Sequence, residues 1–385
     1  MEMTPGTGIF IALCLICHLP GGASLQQYES KWQGTVEQRN GVSIVKNPED
    51  PICSQAVFQL EEELVIGQAG GKEEYTFSRV AGMDVDAAGN IYVLDGASAH
   101  LRVFDKDGGY IRTIGRKGQG PGEFQMPVFV QATAQNEIVI YDYSSQRLTF
   151  FSPDGGYLRQ VYAARTRYPV LPVRLDSRGN LIGIEVMAPP PLGGKELKKY
   201  GRNFEPLMVI AKEEQDLDDH RRGKMNVVKS TLYCAVSSND NIVWGNSETY
   251  ELQILNPAGE LVRKISKVHK ALKLTAEDEK KLRDRYSDFI RAGGKLDFPD
   301  HLPAFMALTV DDEGRIFVKT YERVDDQEGA FYFDVFDEEG RYIAKVPIEA
   351  NLNQSSVWKG DRLYTIEEDE AGFQVIKRYQ VKWKN

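Results

Sequence analysis

The residues nearest to chemistry in this sequence are arginines, lysines and aromatics in its longer polar stretches. Arg116 and Lys117 open a glycine-rich joint. Lys198, Lys199, Tyr200 and Arg202 share one polar segment, and Arg285, Tyr286 and His301 share another. An arginine fork donates in pairs to carboxylate or phosphate. Tyrosine offers a flat apolar face with a polar tip, which suits sugars or peptides. Arg116, Lys117, Tyr200, Arg202, Arg285, Tyr286 and His301 therefore form the candidate ligand-binding set, although for any one of them a solvated or structural role is the simpler expectation.

Catalytic patterns are sparse. Past the leader the histidines are His100, His220, His269 and His301, and their spacing matches neither HxxH nor HExxH. No GxSxG elbow occurs. No catalytic residue, metal site or cofactor is expected. Calcium is the one ion that Asp84, Asp95, Asp142 and Asn246 would suit, but turn capping explains them more simply. FDKDGG lacks the later glutamate of a calcium loop and reads as a hairpin turn. The glycines of GRKGQGPGEFQMP lead into another strand rather than a helix, so they read as a linker and not a phosphate cradle.

These residues need a scaffold, and repeats supply it. A tight turn followed by an apolar strand recurs as DAAGNIYVLD, QNEIVIYD, DSRGNLIGI, SNDNIVWGN, DDEGRIFVKT and KGDRLYTIE. Asp, Asn and Gly serve the turn, and Ile, Val, Tyr and Phe serve the strand. A hairpin recurs as VFDKDGGYIRTI, FFSPDGGYLRQV, ILNPAGELVRKI and VFDEEGRYIAKV; the third unit lacks this pattern, so that blade is divergent or its outer strand is poorly marked. Four short strands at a period of roughly 45 residues indicate propeller blades. The expected fold is all-β: a six-bladed β-propeller of four-stranded antiparallel blades. VFQLEEELVIG, from Val57 to Gly67, should complete the last blade and close the ring, removing open sheet edges.

Strand order divides the connections between two faces. Turns joining the first to the second strand of a blade, and the third to the fourth, are short. The insertions fall in the opposite class: 186–206 in blade 3, 266–305 between blades 4 and 5, and 321–330 in blade 5. Long loops on a rigid scaffold are where binding groups gather, so the functional face is expected there, over the central channel. The largest insertion (helical part 267–302) should hold a helix, with Thr275 and Asp278 as a capping box and Leu282, Tyr286, Phe289 and Ile290 on one side.

The joint and its neighbours, NIYVLD and LRVFDKDGGYIRTIGRKGQGPGEF, resemble the NHL-type repeat. With GVSIVKNPEDP and FPDHLPAF, the chain from near Gly41 onward resembles the secreted six-bladed propeller proteins of bacteria, a largely uncharacterised group. The resemblance implies a fold and an export route, and no catalytic residues.

Composition agrees with a packed globular domain, at 42% hydrophobic and 10% aromatic residues. A net charge of −9 argues against nucleic-acid binding. Residues 1–24 read as a signal peptide: the apolar run GIFIALCLICHL is too short to span a membrane, and small residues follow it. Residues 25–40 form an N-terminal extension and 41–385 the propeller. The mature protein is expected to be secreted or periplasmic, without a membrane span and monomeric; lipid attachment at Cys17 is disfavoured by Ile16. Cys53 and Cys234 can pair in an exported protein, but two buried free thiols are the slightly favoured reading. The functional expectation is an exported, non-catalytic propeller that binds a peptide, glycan or protein partner. The alternative is a metal-dependent, lactonase-like hydrolase or lyase at the channel mouth. A third option is a ring that merely holds a partner, through the helical insertion.

Overall fold

The second strand of each repeat is apolar on both faces, and the fold shows why. In Ile91–Asp95, Ile91 and Val93 pack toward blade 6, whereas Tyr92 and Leu94 pack toward blade 2. A strand buried on both sides reads as a continuous apolar run. Six clusters of this kind, one between each pair of neighbouring blades, form the core.

The computed structural model describes residues 32–53, 57–68, 71–163, 166, 170–187, 193–215, 223–325, 327, 329–353 and 355–384. The protein is a six-bladed β-propeller. The innermost strands of blades 1 to 6 are Val80–Val85, Pro127–Ala132, Val170–Leu175, Leu232–Val236, Ala307–Val310 and Val357–Lys359. Each leads outward through three antiparallel neighbours. The N-terminal strand Val57–Ile66 is the outer strand of blade 6, paired antiparallel with Gln374–Lys384, and so closes the ring as expected. Asp86 illustrates the recurring turn: its carboxylate accepts from Ala88 and Asn90 N–H, while Gly89 takes a φ of +87° that disfavours a side chain.

The N-terminal segment does more than close the ring. Strands β1 (Thr35–Arg39) and β2 (Val42–Asn47) form a hairpin, and β2 pairs parallel with Leu261–Lys267 at the rim of blade 4. That sheet therefore has six strands and begins before Gly41, inside the expected extension. The chain then touches blade 5, where Ile52 and Cys53 N–H donate to Tyr342 and Ile343 C=O at 3.1 and 3.0 Å. A belt thus crosses the rims of blades 4, 5 and 6. Asn47, 3% exposed, is its rivet. Its amide N–H groups reach Ser266 and Gly340 C=O (3.2 and 2.9 Å), and its carbonyl accepts from Tyr342 N–H and Trp32 Nε1 (2.8 and 3.0 Å). All four hydrogen-bonding positions of the amide are filled.

Blade 3 departs from the sequence reading. Within the supposed long insertion 186–206, of which 188–192 lie outside the described residues, Gly193–Tyr200 is a strand, followed by the turn GRNFE and the outer strand Pro206–Gln215. Gly201 N–H donates to Glu205 C=O and Phe204 N–H to Gly201 C=O, so this unit does have its outer hairpin. The strand is charged because its lysines are paired: Lys199 with Asp176 at 2.8 Å, and Lys198 with Glu185 at 2.7 Å.

The insertion after blade 4 holds helices α1 (Ala276–Arg285) and α2 (Ser287–Arg291), and α1 carries the expected Thr275–Asp278 capping box. Neither helix buries a residue fully. The insertion is tied down by an Asp278–Arg323 ion pair and by parallel pairing of Lys295–Asp297 with Lys224–Asn226. Cys53 is half-buried and Cys234 is buried, and no disulfide joins the two. No helix among the described residues is long and apolar enough to cross a membrane. The expected signal peptide lies outside the described residues.

Candidate functional site

The seven candidate ligand-binding residues do not converge. Arg116 is largely exposed and pairs with Glu123 at 2.8 Å; Lys117 beside it is exposed. Tyr200 is 1% exposed, donates to Glu185 at 2.9 Å and packs on Phe204, so it is a core residue and no part of a binding surface. Arg202 lies in the outer turn of blade 3, on the face opposite the expected one, and its Nε donates to Arg178 C=O at 2.6 Å. Arg285 and His301 are exposed on the helical insertion, and Tyr286 is half-buried between its helices. Among the described residues no hydrogen bond, ion pair or ring contact between side chains joins any two of the seven.

The glycine-rich joint is structural. Arg147, 2% exposed, donates to the carbonyls of Gln119, Gly120 and Glu123, so the loop wraps a guanidinium. At Gly115, φ is +78° and a Cβ would sit 2.3 Å from the Phe124 ring. The strand-end carboxylates also hold backbone. Asp95 accepts from Ser78 and Arg79 N–H, and Asp142 from Gln125 and Met126 N–H. Asp95 is opposed by burial, yet the N–H groups of Ser78, Ser98 and Arg79 hold its carboxyl below the usual range. Asn246 accepts from Glu248 N–H at 2.9 Å. These three cap turns.

Asp84 is different. It faces the central channel, a cavity of about 270 Å³ lined by the innermost strands of all six blades. Asp84, Gln131 and Arg174 occupy the same register in blades 1, 2 and 3, opposite Tyr92, Val139 and Ile182. Asp84 accepts from Val85 N–H and, across the blade boundary, from Ala132 N–H at 2.9 and 2.8 Å. Gln131 repeats the device one blade on, with its amide clasping both N–H and C=O of Leu175 at 2.7 and 2.9 Å. Side chains thus satisfy innermost-strand edge groups that no strand pairs. Arg174, next in the series, clasps no described residue. Burial raises the Asp84 carboxyl above its ordinary value, against the opposing influence of Arg174, its two N–H donors and Lys359. Sequence reasoning missed Gln131, Arg174 and Lys359. The available signal was a polar residue at one repeat position within GMDVD, FVQAT and PVRLD.

Two other polar sites lie on the long-connection face. One is an open cavity of about 470 Å³ lined by Glu349, Asn351, Asn353, Glu367, Glu368 and Gln374, between blades 6 and 1. The other is buried between blades 4 and 5: Asp334 accepts from the Tyr250 and Tyr342 hydroxyls and pairs with Lys267 at 3.1 Å. The Lys267 ammonium also lies over both rings, at 5.2 and 4.6 Å. Burial and then the Asp334 charge push both phenols far above their ordinary range. Among the described residues no group of three His, Cys, Asp or Glu is placed to hold a metal ion.

Comparison with known proteins agrees with this architecture. A family profile described as a 6-bladed beta-propeller, DUF5128, matches residues 72–175. The match is to a six-bladed β-propeller. It spans blade 1, blade 2 and the innermost strand of blade 3. A Bacteroides fragilis NCTC 9343 protein, named as a candidate exported protein, superposes with a TM-score of 0.51 at 14% identity, covering 88% of this chain and 99% of that one. A member of the duf4221 family from Bacteroides vulgatus ATCC 8482 gives 0.54 at 14% identity, covering 84% and 98%. Virginiamycin B lyase from Staphylococcus aureus gives 0.43 at 6% identity, covering 84% and 99%. At these identities the first two likenesses establish the fold alone. No curated protein matches the sequence.

Proposed function

We propose that this protein is an exported, non-catalytic binding propeller that recognises a glycan or peptide on its long-connection face. The observation that carries the reading is the open cavity of about 470 Å³ on that face. Its carboxylates and amides suit hydroxyl groups or amines, and its size is that of a small-molecule site. The channel supports the same reading from the other side. Among the described residues its lining includes Asp84, Asp311 and Asp312 but no histidine, and Asp84 is already held by two N–H groups. A lactonase-like site would need several free ligands converging on one point. The apolar leader followed by small residues supports export.

Glycan and peptide arrays probed with the purified protein test this reading. Glu349→Gln and Glu368→Gln, both at exposed positions, should leave folding intact and weaken the array signal several-fold. An undiminished signal in the double variant would contradict the assignment. So would a melting temperature that falls in EDTA and is restored by one divalent metal, since such a metal binds the folded state.

A further inference from the structure

Two cations of the channel make no side-chain hydrogen bond or ion pair among the described residues. Arg174 is half-buried in the cavity wall and Lys359 is exposed at the short-turn mouth. Neither hydrogen-bonds or ion-pairs through its side chain with any described residue. By contrast, Lys199 and Lys267, which are buried, each rest on a carboxylate, at 2.8 and 3.1 Å. The nearby carboxylates are engaged elsewhere. Asp84 is held by Val85 and Ala132 N–H, Asp311 pairs with Arg315 at 2.6 Å, and Asp312 accepts from Gly360 N–H at 2.5 Å. A half-buried guanidinium that lines a cavity and meets no acceptor among the described residues suits an anion.

We infer that the short-turn end of the channel binds the carboxylate group of a small organic acid, with Arg174 as the fork and Lys359 as the second charge. The cavity of about 270 Å³ sets the size of the ligand, near the lower end of small-molecule sites. Asp311 and Asp312 at the same mouth oppose a dianion such as phosphate more strongly than a monoanion. The planar fork matches a carboxylate through two parallel N–H donors. Thr309 lines the same space and offers a hydroxyl. The site lies at the opposite end of the channel from the long-connection face and is independent of what that face binds.

The test is thermal unfolding and calorimetric titration with sodium acetate, succinate and benzoate, against phosphate and chloride at matched ionic strength. At least one carboxylate should raise the melting temperature at millimolar concentration, and phosphate should do so less. Arg174→Met should weaken that carboxylate by about tenfold or more, the scale of a lost charge-assisted pair. Lys359→Met should weaken it less. Arg174→Lys keeps the charge without the fork and should fall between; it also serves if the Met variant folds poorly. No response to any carboxylate, a response unchanged in Arg174→Met, or tighter binding of phosphate would overturn the assignment.

Discussion

Asp334 and Asp84 are both buried carboxylates in a ring built from repeats, yet they sit in opposite kinds of site. Asp334 lies between blades 4 and 5 with two phenols and an ammonium upon it. Asp84 lies at the channel, bound by two backbone N–H groups, with Arg174 and Lys359 acting on it from beyond ion-pairing distance. The first site is saturated and leaves nothing for a ligand. The second leaves two cations that meet no side-chain partner among the described residues. A saturated buried network stabilises one packing of the blades, whereas unspent charge beside a cavity is available for binding.

Breaking the saturated site should have the largest effect. Asp334→Asn leaves Lys267 buried without its counter-charge, and such losses cost about 3–5 kcal/mol. Urea unfolding should show this as a lower midpoint with little change in slope. A loss below about 1 kcal/mol would mean that the seam relaxes or hydrates, and the contrast would fail.

The belt at the same seam should rank second. Asn47→Ala strands the buried Tyr342 N–H and Gly340 C=O, at about 1–3 kcal/mol for each group left unsatisfied. The same urea measurement checks it. Among the described residues no such belt crosses blades 1 to 3, so hydrogen exchange should rise at the rims of blades 4 and 5 and stay unchanged at those of blades 1 to 3.

Smallest should be the pH dependence at the channel. Burial raises the Asp84 carboxyl above its ordinary 3.8, so the folded state holds that proton more tightly than the unfolded chain. The resulting stabilisation is fully present below 3.8 and is lost as pH rises through the folded value. Asp84→Asn removes this dependence. The stability of the variant relative to wild type should therefore increase with pH across that window. A difference that stays flat would place Asp84 in a more solvated site.

Much of the ring was legible because its signals are local. Apolar second strands, Asp–Gly turns and the Thr275 capping box each depend on a few adjacent residues, and each formed where expected. Ring closure by Val57–Ile66 followed from an unfilled blade. The segment KELKKYG was read as a loop because its charges find partners only through tertiary contacts, with Asp176 and Glu185. That error carried Tyr200 and Arg202 to the wrong face. The parallel pairing of Val42–Asn47 with Leu261–Lys267 bridges more than two hundred residues, and no local pattern encodes it. The channel register of Asp84, Gln131 and Arg174 lies between these cases. It is written in the repeats, but its meaning depends on which edge groups the neighbouring blade leaves open.

The contrast is tested most directly by unfolding wild type, Asp334→Asn and Arg174→Met side by side without added ligand. Asp334→Asn should show a large loss, and Arg174→Met a change within about 0.5 kcal/mol, as for a side chain that supports no packing network. A loss in Arg174→Met as large as that in Asp334→Asn would show that the channel arginine belongs to the framework and is not held open for a ligand.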